Sequence, residues 1–380
     1  MDALMLPLNW QRVRLGDVAE IIGGGTPSTQ VTSFWNGSIN WFTPTEIGIT
    51  KYVYKSQRTI TPLGLKKSSA KLLPIGTILL TSRASIGDCA ILKEVATTNQ
   101  GFQSLIPLEK INNEFLYYLM LTLKNKLLKL ASGSTFLEVS PNKIKNLLIP
   151  LPPLNEQIAI ANILSDVDHY LYSLRALILK KESVKKALSF ELLSQRKRLK
   201  GFNQAWQRVR LGDICEITTG SLDANEMVHY GKYRFYTCAK EYYFIDKYAF
   251  DTEAILISGN GAYVGYVHYY KGKFNAYQRT YVLDNFSEHI MFVKYFLTMF
   301  LQSHIQTNKN EGNTPYIVMA TLKDFEILLP PLNEQIAIAN ILSALDHEII
   351  SLKNKKRQFE NIKKALNHDL MSAKIRVLKK

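Results

Sequence analysis

Two stretches of the chain carry apolar residues at alternating three- and four-residue steps over an unusual length. In the first, Ile163, Val167, Tyr170, Leu174, Leu177, Val184 and Leu188 keep the step, broken at Lys181; in the second, Ile341, Leu345, Ile349, Leu352, Phe359, Ile362, Leu366 and Leu370 do nearly the same, with Lys355 and Lys356 in the gap. A narrow stripe at this spacing predicts an amphipathic helix with a coiled-coil seam. The ranges 154–198 and 332–376 are expected to be helices of roughly 45 residues, about 65 Å long at 1.5 Å per residue. Neither can bury its stripe alone, so each is expected to pair with the other. A Pro pair stands before each, Pro152 and Pro153 in one case and Pro330 and Pro331 in the other. Proline is tolerated in the first helical turn and not beyond it, which makes each pair a helix start.

The two starts are copies. LPPLNEQIAIANILS at 151–165 returns letter for letter at 329–343, an offset of 178 residues, and WQRVRLGD at 10–17 recurs at 206–213, an offset of 196. The chain is therefore an internal duplication whose first globular segment is 18 residues longer than its second, while the helices after them stay in step. This reads as 1–150 for a first globular body, 151–200 for a first helical region, 201–328 for a second body and 329–380 for a second helical region.

Within the bodies the period changes to short apolar runs bounded by small residues. DVAEII and DICEIT read as strands entering glycine turns; GTILLTSRASIG and EAILISGNGAYVG read as strands ending in small-residue turns; TTNQGFQSLIPL and NAYQRTYVLDNF place Gln100 and Gln278 in matching turns. Helices are expected over 114–130 and 290–305, and a glycine-containing loop with a last strand, GSTFLEVSPNKIKNLLIP or GNTPYIVMATLKDFEILLP, enters each Pro pair. The fold class is α+β: two α/β bodies separated by two long helices in an antiparallel coiled coil, related by a pseudo-two-fold axis.

Composition adds one fact to this picture. The formal net charge is +15 over 380 residues, with a pI near 9.4, and no tail carries the excess. An anionic partner follows, nucleic acid first. No apolar run approaches the roughly 18 residues of a membrane span, and MDALMLPLNW lacks a basic region followed by an apolar core, so no membrane partner and a cytoplasmic location are expected. Cys89, Cys215 and Cys238 share no CxxC spacing and imply neither zinc nor disulfides.

A search for catalytic patterns finds none. Every Pro pair is followed by Leu, so no base-amine methylation motif exists; GGGTPST has no GK[ST] after it; there is no GxGxxG and no HExxH. The duplicated pairs Asp168-His169 and Asp346-His347 are neighbours on a helix, about 100° apart, and are poorly placed to share an ion. Binding chemistry remains. Turn residues Arg83, Asn99, Gln100, Lys240, Asn260, Gln278 and Arg279, with Tyr263 and the nearby Tyr236 and Tyr277, have the side chains that read base edges and hold phosphates. At the helix starts Pro152, Pro153, Leu154, Glu156 and Gln157, repeated as Pro330, Pro331, Leu332, Glu334 and Gln335, are expected to be a subunit interface, because both copies keep polar residues where a merely packed helix could vary them.

The repeated LPPLNEQIAIANILS after a divergent body resembles the specificity subunit of type I restriction-modification systems, over essentially the whole chain. GGTPS, WNG and INWFTPTEIG in the first body, and GSLDANE and GKYRFYTCAKEYY in the second, resemble that family's target recognition domains. The resemblance implies two target recognition domains on double-stranded DNA, two methyltransferase subunits along the helical frame, and restriction subunits in the nuclease form. It implies a non-catalytic chain that binds no cofactor, with S-adenosylmethionine, ATP and Mg on the partners. Two unlike bodies should read two unlike half-sequences of an asymmetric bipartite target, about 34 Å or one turn of B-DNA apart. The rival readings are a self-contained DNA-modifying enzyme, which tight S-adenosylmethionine binding would favour, and a scaffold that binds no DNA, which salt-dependent filter binding would separate.

Overall fold

The computed structural model describes residues 7–133, 137–307 and 315–377. The chain divides into two compact units, 1–174 with 355–380 and 175–354, so the boundary falls inside both long helices and each unit owns one body and half of each helix. Among the described residues no helix is long and apolar enough to cross a membrane.

The two long helices run Leu154–Leu193 and Leu332–Met371, forty residues each and starting directly after the Pro pairs. They end a turn earlier than the seam suggests. At matching positions Gln195 (φ 61°) and Ala373 (φ 59°) adopt the left-handed conformation, which stops a helix of L-residues.

Each body is closed by a strand pair joining its beginning to its end. Gln11–Arg14 pairs antiparallel with Leu148–Leu151, and Gln207–Arg210 with Glu326–Leu329, in the same register (Gln11 to Leu151, Gln207 to Leu329). The repeated WQRVRLGD and the strand entering the Pro pair are thus one element, which explains why these two ends of each body were kept.

In the first unit the body holds a five-stranded sheet in the order Ala19–Gly23, Gln103–Pro107, Ile78–Leu80, Cys89–Leu92, Tyr52–Val53, and a three-stranded sheet in the order Arg58–Ile60, Trp35–Phe42, Ala96–Thr98. The helix expected over 114–130 is two, Asn113–Thr122 and Lys124–Leu130, and the first buries Phe115, Leu116, Tyr118 and Met120 in the unit's main core. In the second unit one six-stranded sheet runs Glu216–Thr219, Thr280–Asp284, Phe250–Ser258, Val267–Ala276, Tyr233–Tyr236, Tyr243–Ile245. The helix Ile290–Thr307 packs Phe292, Val293, Phe296 and Leu301 beneath it.

The strand Val267–Ala276 curves, so that side chains far apart along it reach one ring. The ring of Tyr236 lies 5.2 Å from His268 and 6.0 Å from Phe274, although six residues of straight strand would span roughly 20 Å. Gly272 lies between His268 and Phe274, paired with Thr252 and at φ 128°, a conformation that a side chain would strain.

Where the seams run is a correction to the sequence pattern. Leu177, Val184 and Ile362 are 38%, 45% and 45% exposed, while Leu174, Ile178 and Ile349 are buried. The stripe shifts by one residue only locally: Lys185 and Lys363, next to Val184 and Ile362, turn inward to bond Asp346 and Asp168, and Ile178 is buried in place of Leu177, while the expected seam residues Leu174, Ile349 and Leu370 are buried.

Candidate nucleic-acid interface

Glu156 and Gln157 are 2% and 1% exposed, and Glu334 and Gln335 are 0% and 1% exposed. These four side chains are therefore no free docking surface, and the reason is the set of partners they satisfy inside their own unit. In the first unit the Glu156 carboxylate accepts from Trp10 Nε1 (3.1 Å) and from Arg376 Nε (2.7 Å) and Nη2 (3.1 Å). In the second, Glu334 accepts from Trp206 Nε1 (3.2 Å) and from Arg198 Nε (3.2 Å) and Nη2 (2.6 Å). Gln157 caps the segment before the body's helix, accepting from Asn112 N (2.8 Å) and donating to Lys110 O and Pro152 O. Gln335 does the same with His289 N (3.0 Å), Glu288 and Pro330 O. The Trp that opens each body, the Glu that opens each helix and the Arg after the other helix's end form one clamp, present twice. What stays outside is apolar: Leu154 and Ile158 are 46% and 42% exposed, Leu332 and Ile336 are 52% and 39% exposed, Pro153 is exposed and Pro331 partly so, while Pro152 and Pro330 are buried.

About three turns further along each helix a second cluster repeats. Asp168 accepts from Tyr118 Oη (2.6 Å) and pairs with Lys363 (2.5 Å); Asp346 accepts from Tyr295 Oη (2.7 Å) and pairs with Lys185. Burial and then the carboxylate bond raise the Tyr118 and Tyr295 pKa values above their usual range. Burial works to raise that of Asp346, but the bonds from Lys185 and Tyr295 outweigh it and hold the carboxyl below its ordinary value. The clusters differ in their second lysine: in the first unit Lys51 bonds Tyr118 Oη (2.9 Å) and Ser165 Oγ (2.8 Å) and pairs with Glu114, and in the second Lys294 stands 3.9 Å from Asp346; burial lowers the pKa of both. The aspartates of the Asp-His pairs are thus ion-pair partners, and among the described residues no group of three or more His, Cys, Asp or Glu could hold a metal.

The turn candidates converge in each unit on a three-segment junction. In the first, Ser82 N donates to Gly101 O (2.8 Å) and Val139 N to Ser82 O (3.1 Å), which places Arg83 beside the Asn99-Gln100 turn. In the second, Gly259 N donates to Arg279 O (2.8 Å) and Ile317 N to Gly259 O (2.9 Å), which places Asn260 beside Gln278 and Arg279. Lys240 and Tyr263 join that second group, with Nζ 5.1 Å from the ring centroid, and Cys238 Sγ donates to Arg279 O. Backbone connections match in the two copies and side chains do not. Parts of the glycine-containing loops, 134–136 and 308–314, lie outside the described residues.

The candidates differ in how free they are. Gln100, Lys240, Tyr263, Gln278 and Arg279 are exposed, although Gln100 accepts from Thr26 Oγ1. Asn99 spends its side-chain oxygen on Gly101 N (2.8 Å), a turn-forming bond. Arg83 is paired with Glu138 (2.8 Å). Tyr236 is 2% exposed and belongs to the core. Two residues escaped the sequence reading. Arg58 lies over Trp35, its Cζ 3.8 Å from the ring centroid and 5.4 Å from that of Trp41. Arg234 sits between Tyr242 (4.2 Å) and Tyr270 (4.5 Å). The signal available was their aromatic surroundings, WNGSINWF and YRFYTCAKEYY, but strand pairing and the curve of the strand Val267–Ala276 were needed to bring the rings onto the cations.

Comparison with known proteins bears on both halves. The family described as "Type I restriction modification DNA specificity domain" matches residues 7–182 and again 203–361. The type I restriction enzyme MjaIX specificity subunit of Methanocaldococcus jannaschii is 29% identical over 372 residues, covering 87% of this chain and 85% of that protein. The EcoDI specificity subunit of Escherichia coli is 39% identical over 160 residues, 41% of this chain and 35% of that one. Among solved structures, the type I restriction-modification S subunit from M. genitalium aligns with a TM-score of 0.64 at 18% identity over 97% of each chain, a likeness of fold.

Proposed function

The chain belongs to the family of type I restriction-modification specificity subunits, and on that premise we propose that each unit reads one half of an asymmetric, bipartite double-stranded DNA target. The observation that carries this is the three-segment junction: the same backbone bonds in both copies, Ser82 to Gly101 and Gly259 to Arg279, present different side chains on turns. A constant frame holding variable turns is what two unlike half-sequences require. Phosphate contacts from the net charge of +15 would supply affinity, and the turns would supply discrimination.

The two long helices act in this reading as an antiparallel coiled-coil spacer and docking frame. Support comes from within each unit, where contacts run in opposite senses along the two helices: Glu156 with Arg376, Asp168 with Lys363 and Tyr170 with Phe359 in the first. Two methyltransferase subunits would dock on the repeated apolar surface of Leu154 and Ile158, and of Leu332 and Ile336, rather than on the buried Glu-Gln pairs. Restriction subunits would join the nuclease form. S-adenosylmethionine, ATP and Mg belong to those partners in this reading, and the chain itself is not catalytic. Exchanging residues 18–150 for the body of a relative tests the modular reading. Mapped methylation should show one half of the target changed and the other kept; both halves changing together would overturn it.

A further inference from the structure

We propose that Arg58 and Arg234, each held by aromatic rings, are the prepositioned forks with which the two bodies grip DNA at a paired-acceptor site, either a guanine O6/N7 edge or a phosphate. The inference rests on the DNA-reading function proposed above and names the groups that perform it.

Several arginines of this chain are paired with carboxylates. Arg83 meets Glu138, Arg198 meets Glu334, Arg208 meets Glu326 and Arg376 meets Glu156, each within hydrogen-bonding distance. Arg58 is exposed and, among the described residues, its guanidinium meets no carboxylate and donates no hydrogen bond. It is nevertheless fixed, because Trp35 and Trp41, themselves 8% and 4% exposed and edge to face at 5.0 Å, are anchored through Nε1 to Ser28 O and Gly25 O. A guanidinium lying over an indole keeps its edge donors outward. That is the geometry of bidentate recognition, with the rotamer entropy already lost in the free protein.

The stack joins the junction described above. Gly25 N donates to Thr98 O (2.8 Å), and the next residue, Thr26, bonds Gln100; the carbonyl of Phe42, beside Trp41, accepts from Asn99 N (3.0 Å). In the second unit Arg234 donates to Tyr236 Oη (3.4 Å), meets no carboxylate among the described residues, and Tyr236 O accepts from Tyr277 N (2.9 Å), next to Gln278. Phe42 and Tyr236 hold the same place in the two bodies, each the last residue of a strand running parallel to the one before the glutamine turn. Two different sequences have therefore placed an aromatic-clamped, carboxylate-free arginine in the group of paired strands that is hydrogen-bonded to the same turn.

The test uses the full chain assembled with its methyltransferase subunits and a duplex carrying the target found by methylation mapping, with binding followed by fluorescence anisotropy across salt. Wild-type binding that weakens with salt is the control; its absence would sink the DNA-reading function itself. Given that control, Arg58→Ala and Arg234→Ala should each weaken binding about tenfold while the thermal melt stays at the wild-type temperature. Arg58→Lys separates the two acceptors: recovered affinity assigns the contact to phosphate, and a lost preference at one mapped base pair assigns it to guanine. Alanine variants that bind and methylate as wild type, or that lose affinity only in step with lost folded protein, would overturn the proposal.

Discussion

At the 178-residue offset Tyr170 corresponds to Glu348, and Lys181 to Phe359. The first unit joins its two as an aromatic pair, Tyr170 against Phe359 with centroids 4.7 Å apart; the second joins its two as an ion pair, Lys181 Nζ to Glu348 at 2.8 Å. The same contact is oily in one copy and charged in the other. The clamps at the helix starts have not drifted at all: Trp, Glu and Arg are the same residues in both. The difference is burial. Glu348 and Lys181 side chains remain 44% and 31% exposed, so water tolerates a change of chemistry there, whereas the carboxylates of Glu156 and Glu334 are sealed and their loss leaves an indole N–H and a partly exposed arginine without their shared acceptor.

The largest expected effect follows from the clamp. Glu156→Ala or Glu334→Ala removes a buried carboxylate that an arginine and an indole N–H share, and should cost about 3 kcal/mol, read from urea unfolding. Equal losses in both copies would support the equivalence, and a silent substitution in either would break it. At the divergent contact the effects should separate: Phe359→Ala should cost about 2 kcal/mol, less than a fully buried Phe, and Lys181→Ala less than about 1 kcal/mol because the pair is half exposed.

A fragment of residues 1–200 sharpens the comparison further. If it dimerises through its helix, Tyr170 faces Lys181 of the other copy twice, with neither Phe359 nor Glu348 available. Lys181→Phe would restore the aromatic contact twice and should tighten the dimer by at least about tenfold, the value of roughly 1.4 kcal/mol. Light scattering that finds only monomers for both would remove the pairing.

The smallest effect concerns pH. The Asp346 carboxyl is held below its ordinary value of 3.8, so its contribution to stability is complete above that value and is lost as pH falls through the lower folded-state value. Asp346→Asn should therefore flatten the acid limb of the melting profile below about pH 4. An unchanged limb would mean that Lys185 and Tyr295 do not hold the charged form.

Several features were legible because they depend on neighbours in sequence. A Pro pair before an amphipathic run must start a helix, and a fifteen-residue exact repeat must be a duplication, whatever the rest of the chain does. The matching turns around Gln100 and Gln278 could be aligned on their flanking strands. The role of the repeated Glu and Gln could not. Polar residues kept at a helix start read as surface until Arg376 and Trp10, far apart in sequence, are found closing on one carboxylate. The seam departed from its pattern locally in the same way: Val184 is apolar and correctly spaced, yet Lys185 takes the inner position because Asp346 and Tyr295 meet it there.

The sequence by itself determined the duplication, the two helix starts and the divergent bodies, since local backbone preference and identity of letters suffice for these. Tertiary structure alone decided which polar groups are sealed and which cations stay unpaired. Burial and pairing are properties of residues brought together from distant strands, as Arg58 is with Trp35 and Arg234 with Tyr270. No spacing along the chain records whether a carboxylate arrives to neutralise an arginine or aromatic rings arrive to hold it ready.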